Sequence, residues 1–154
     1  MAEAKFTANK NRIQNPWLIT AGLLSAGAAA LHIAVIVGGP DWYRFFGAGE
    51  RMARGAANGS PIPPITVSVI AAILAVWAAY AFSGARIIGR LPLLRTGLVA
   101  ISAVYLVRGL ALFPALIFKP SLVDAFTFWS SLIVLGYGVI YAIGTWKAWP
   151  SLKL

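Results

Sequence analysis

Arg108 is the residue in this chain best placed to do chemistry. It is the one charged side chain in residues 96–118, an otherwise apolar run long enough to cross a bilayer. A guanidinium near the middle of such a span costs at least a few kcal/mol unless an acceptor answers it. The groups able to answer it are few. His32 is the sole histidine, and the acids beyond Glu3 are Asp41, Glu50 and Asp124. Tyr105, three residues before Arg108, adds a hydroxyl on a neighbouring helical position. Two chemistries suit this set. A guanidinium fork binds a phosphate, a carboxylate or a quinone oxygen. Alternatively, His32 or Glu50 titrates while Arg108 sets its pKa, as an enzyme or a proton-coupled transporter would require.

Other chemistries lack their residues. With no cysteine there are no disulfides and no thiolate metal sites. A single histidine cannot supply both axial ligands of a bis-histidine haem within one chain, and zinc would need several loop carboxylates beside it. We expect no metal site and identify no cofactor. Neither a phosphate-binding GxxxxGK[ST] loop nor a serine nucleophile motif is present.

The elements that must position these residues follow from composition. The 154 residues are 60% hydrophobic and 11% charged, with a mean hydropathy of +0.80, against about 25% charged residues in soluble domains. The expected fold is all-α: a single integral membrane domain over residues 1–154, a four-helix bundle with spans near 16–37, 65–85, 96–118 and 122–146. Pro16 suits the first turn of the first span, and Trp17 suits the interface.

The net charge of +9 gathers at span ends, where anionic lipid headgroups account for it without nucleic acid. Lys5, Lys10, Arg12, Arg86, Arg90, Arg95, Lys147 and Lys153 fall on one side, and Arg44, Arg51, Arg54 and Lys119 on the other. The positive-inside rule therefore puts both termini in the cytoplasm and the long loop 38–64 outside. In that loop, Gly38, Gly39 and Pro40 stop the first helix, and Asp41 can cap a new turn. Trp42, Tyr43, Phe45 and Phe46 suit a short interfacial helix, and 58–64 reads as a rigid turn into the second span.

Counted at about 1.5 Å per residue, His32 lies roughly 24 Å along the first span and Arg108 roughly 20 Å along the third, both toward the outer side. The expected site is thus an outer polar pocket of His32, Glu50, Tyr105, Arg108 and Asp124, lidded by Trp42, Tyr43, Phe45 and Phe46. Each also has a plainer reading. Arg108 can snorkel, His32 can simply bond within its helix, Glu50 can pair with Arg54, and Asp124 can cap the fourth span. Small residues at Ala71, Ala75, Ala79 and Ser83, and at Gly136, Ile140 and Gly144, supply packing stripes, within one bundle or toward a second copy or larger complex.

A span ending near His32, a long outward loop, and a third span bearing Tyr105 and Arg108 together resemble the small bacterial four-span proteins grouped as DoxX-like. The resemblance implies a bacterial inner-membrane location and, among the roles in that group, an accessory subunit of a membrane oxidoreductase. Glu50, Arg51, Arg54 and Asn58 also echo the membrane glutathione and eicosanoid enzymes. Their order differs, however, and the second span lacks the carboxylate that such chemistry needs. The function expected from the sequence is binding of a lipid or a small anionic or quinone-like molecule, or an accessory role.

Overall fold

The computed structural model describes residues 14–152, so Glu3, Lys5, Lys10, Arg12 and Lys153, used above in the charge count, lie outside the described residues. All regular structure among the described residues is helical. The elements are α1 (Pro16–Gly38), α2 (Pro40–Phe45), α3 (Glu50–Ala57), α4 (Ile62–Gly84), α5 (Leu94–Leu110), α6 (Leu112–Phe118) and α7 (Ala125–Ala148). Short 3-10 turns occupy Pro120–Leu122 and Trp149–Leu152. Four stretches, Pro16–Gly38, Ile62–Gly84, Leu94–Phe118 and Ala125–Leu152, are long and apolar enough to cross a membrane.

Local chemistry sets the helix ends. Asn15 caps α1, its side-chain oxygen accepting from the N–H groups of Trp17 at 3.1 Å and Leu18 at 3.4 Å, with Pro16 in the first turn. Asp124 caps α7 by accepting from Thr127 N–H at 2.7 Å, so the fourth span starts after the 3-10 turn rather than at Leu122. The second span begins earlier than expected, at Ile62. Pro63 and Pro64 belong to its first turn, where a missing N–H leaves no bond unmade, and not to a preceding loop. The third span is not one helix: it breaks at Ala111, three residues before Pro114, whose ring nitrogen cannot donate to the carbonyl of Leu110.

The long helices pack antiparallel. Leu18, near the start of α1, meets Gly84 at the end of α4 and Gly144 near the end of α7, and Asn15 Nδ2–H donates to the Gly144 carbonyl at 2.7 Å. Tyr80 lies on Gly97, Gly109 faces Leu135, and Gly138 faces Leu106. In chain order α1, α4, α5 and α7 form a ring closed by α1 against α7, with α1 and α5 across the diagonal.

Small residues let these backbones approach closely. The buried stripe of α4 is Val67, Ala71, Leu74, Ala78 and Ala81, while Ala75 is exposed and Ala79 half-buried. Of the four-residue stripe read from the sequence, Ala71 and Ser83 are buried, whereas Ala75 and Ala79 fall beside the buried face, whose members recur at alternating steps of four and three because a turn holds 3.6 residues. In α7 the contact positions are likewise Gly138, Tyr141, Gly144 and Thr145, with Gly136 in open space. Faces turned away from the bundle are also apolar, with Leu23, Ile33, Val69, Val76, Val104 and Ile133 exposed.

Candidate functional site

Arg108 emerges on the seam between α5 and α7. Its Nη1–H donates to Ser131 Oγ at 3.0 Å, and Ser131 itself is buried. The arginine is exposed, with apolar Val104, Val107 and Leu110 exposed around it on the same helix. No carboxylate or imidazole contacts it among the described residues.

The other members of the expected pocket are engaged elsewhere. His32 is half-buried on α1, and its Nδ1–H donates to Ala28 C=O at 2.8 Å. Because a carbonyl only accepts, this bond fixes the proton on Nδ1 and leaves Nε2 as the outward nitrogen. Glu50 accepts from Arg44 Nε–H at 2.9 Å and Nη2–H at 3.3 Å, and from Arg54 Nε–H at 2.9 Å. Arg44 Nη1–H also donates to Asp41 at 2.8 Å. This exposed clamp ties α2 to α3. The guanidinium of Arg44, and then that of Arg54, holds the Glu50 carboxyl down to about 2. Thr127, through its side chain and its backbone N–H, lowers Asp124 from the usual carboxylate range.

The Glu50 clamp makes a pH prediction. Its folded pKa is depressed, so its contribution is complete above about 4.5 and is lost as pH falls through about 2. An NMR titration of the Glu50 carboxyl carbon is expected to show a midpoint near the lower value, rising toward 4.5 in Arg44→Gln. A wild-type midpoint at 4.5 would mean that the clamp is not formed.

The aromatic loop residues form a cap, but not over Arg108. Tyr43 is buried in a small cluster with Val35, Ala53 and Val67, which pushes its phenol up from 10.0, and Phe46 packs against the same cluster. Trp42 lies over Gly38 and 5.7 Å from the Phe46 ring, while Phe45 is exposed and meets Phe46 edge-on. The cap therefore sits mainly on α1 and α4, with Phe126 of α7 reaching Gly47.

Tyr105 also departs from the expected grouping. Three residues on a helix rotate by about 300°, which leaves a 60° offset. That offset turns Tyr105 into the core while Arg108 looks out. Within the core the Tyr105 ring meets Trp77 edge-on at 4.8 Å, Tyr137 at 5.6 Å and Tyr141 at 5.4 Å. Sequence reading missed this cluster, although aromatic residues recurring at Tyr137 and Tyr141, one turn apart, were a visible signal.

The cluster holds a hydroxyl chain whose direction can be deduced. Tyr141 O–H donates to the Trp77 carbonyl at 3.1 Å, which uses its proton. Ser25 must therefore donate to Tyr141 across 2.8 Å, and Tyr105 must donate to Ser25 across 3.0 Å. Every hydroxyl of this relay finds an acceptor, and α1, α4, α5 and α7 are joined at mid-height. Because the chain ends on a backbone carbonyl, its chemistry is structural.

No group of three or more histidines or acids able to hold a metal occurs among the described residues. No protein family, curated protein or solved structure matches the chain. Any functional reading rests on the residues and their geometry.

Proposed function

We propose that this is a multi-pass protein of the bacterial inner membrane, both termini cytoplasmic, that binds an anionic amphiphile through Arg108 without transforming it. The observation that carries this reading is the guanidinium itself. Of its five N–H donors, one is spent on Ser131, and the surrounding flank of α5 is apolar. In a bilayer such a cation is stabilised by an anion at its own depth. A phosphate, carboxylate or quinone oxygen arriving laterally supplies it without an enclosed pocket. The basic residues gathered at the end bearing both termini support the orientation.

Catalytic and proton-transport readings are less well supported, because Glu50 and Asp124 are committed to the exposed clamp and the α7 cap. An accessory role draws on the same exposed Arg108: a carboxylate on a partner's membrane helix would take the amphiphile's place.

The test is native mass spectrometry of the full chain in uncharged detergent with added oleate. Retention is expected to fall about tenfold in Arg108→Gln, the loss of one charge-assisted hydrogen-bonded contact. Arg108→Lys should fall in between, since it keeps the charge but not the fork. Equal retention by wild type and Arg108→Gln would refute the reading.

A further inference from the structure

The end of the bundle opposite the aromatic cap carries Arg86, Arg90, Arg95 and Lys147, while the described acids Asp41, Glu50 and Asp124 all lie at the cap end. Three of these cations are held in place. Arg90 Nη2–H donates to Leu152 C=O at 2.6 Å, Arg95 stacks 3.5 Å over the Trp149 ring, and Lys147 Nζ lies 5.2 Å from the Trp17 ring. Arg86 differs. It is exposed and has no hydrogen-bond or ion-pair partner for its side chain among the described residues.

The backbone of Arg86 adds an independent observation. α4 ends in a Schellman motif in which Arg86 N–H donates to Ser83 C=O at 3.0 Å and Ile87 N–H donates to Phe82 C=O at 2.9 Å. Arg86 occupies the left-handed position of that motif, at φ 63°. Glycine usually stands there because any Cβ in that conformation is strained. The chain instead places a long cation at a position where a side chain costs stability, a pattern that points to use of the side chain. The turn is locked from its far side as well: Ser83 Oγ–H donates to Gly89 C=O at 3.0 Å and Ser83 Oγ accepts from Leu91 N–H at 3.0 Å.

Arg86 stands between two open cavities that share it, Gly84 and Ser151. One, about 390 Å³, extends toward Arg90 and Leu152; the other, about 430 Å³, extends toward Trp17 and Lys147. Both volumes fall in the range of small-molecule clefts. Trp17 and Trp149 sit at the ends of apolar helices, the depth at which tryptophan marks lipid headgroups. An occupant here meets two cations at the rim and apolar helix flanks beneath. Among anions, a phospholipid phosphate offers both a charge at that level and acyl chains for the flanks.

We propose that Arg86 and Lys147 clasp the phosphate of an anionic phospholipid in the leaflet at this end of the bundle, at a site separate from Arg108. Arg86→Gly is the informative variant, because glycine suits the left-handed turn while deleting the cation. It is made in an Arg108→Gln background so that failure of the Arg108 reading and failure of this one are distinguishable. The protein is exposed in uncharged detergent to phosphatidylglycerol and phosphatidylcholine of matched chains, and bound lipid is counted by native mass spectrometry. The parent is expected to retain phosphatidylglycerol about tenfold over phosphatidylcholine, and Arg86→Gly or Lys147→Gln to abolish most of that preference. The thermal midpoint of Arg86→Gly is expected to equal or exceed the parent's, separating loss of binding from loss of fold. Arg86→Gln, which keeps a polar side chain on the strained turn, should lose the preference as well. Unchanged phosphatidylglycerol retention in Arg86→Gly, a parent indifferent to headgroup charge, or displacement of the lipid by millimolar inorganic phosphate would each overturn the proposal.

Discussion

Gly109→Ala is expected to destabilise the bundle by about 1–3 kcal/mol, and Gly109→Leu to prevent its assembly. A Cβ at Gly109 would lie 2.6 Å from the Leu135 Cα, and one at Gly138 would lie 2.8 Å from the Leu106 backbone nitrogen. A flexible side chain could swing away from such a contact, but a helix backbone can yield only by moving α5 and α7 apart. Separation would weaken the close packing of the two backbones, and would disturb the Arg108 to Ser131 contact on the same seam. Gly136 is the internal control, since a Cβ there meets nothing within 4 Å. Gly136→Ala should be neutral, or stabilising by up to about 1 kcal/mol through helix propensity. Thermal denaturation in detergent, followed by size-exclusion chromatography of the surviving fold, measures all of these. If Gly109→Ala and Gly136→Ala melt together, α5 and α7 are not packed as described.

Tyr141→Phe is expected to cost about 1–2 kcal/mol, and Tyr105→Phe well under about 1 kcal/mol, although both tyrosines are buried and touch the same serine. The asymmetry comes from the direction of the hydroxyl chain. Tyr141 is an internal link: removing its hydroxyl strips the Ser25 proton of its acceptor and breaks the tie to Trp77. Tyr105 is the first donor, so its loss deprives Ser25 of an incoming bond and leaves no buried donor stranded. A double-mutant cycle sharpens the contrast. In a Ser25→Ala background the Tyr105 hydroxyl has lost its acceptor, so Tyr105→Phe should become neutral or stabilising. Equal costs for the two single substitutions would show that the chain does not run from Tyr105 to Trp77.

The aromatic cap and the Glu50 clamp are best understood together with these core features. Of three ion pairs on exposed side chains, Arg44–Glu50 joins α2 to α3, while Arg44–Asp41 and Arg54–Glu50 brace it from within each helix, and Tyr43 anchors that unit over α1 and α4. Exposed pairs of this kind contribute little to stability. They do fix the relative register of two helices of six and eight residues, which are too short to hold their conformation alone.

The sequence alone was sufficient for the number of long apolar stretches, the approximate extent of each and the short helical turn after Gly39. These depend on composition, on runs of about 20 residues and on proline and glycine, all of which act locally. It also singled out Arg108 as an unusual charge and allowed for the Glu50 to Arg54 pair and the Asp124 cap, which span four residues or fewer. Tertiary structure decided which way each side chain faces. The 60° between Tyr105 and Arg108 sends one into the core and the other to the surface, and it takes the positions of α1, α4 and α7 to say which is which. For the same reason Glu50 and Asp124, close to Arg108 by depth alone, prove to be committed elsewhere. Depth is one coordinate, read from residue counts, whereas the angle around the bundle axis is set only when the helices close into a ring. The hydroxyl chain joins residues 80 and 116 positions apart, and the cleft at Arg86 is walled by helix ends far apart along the chain. Contacts of that range leave no periodic trace in the sequence.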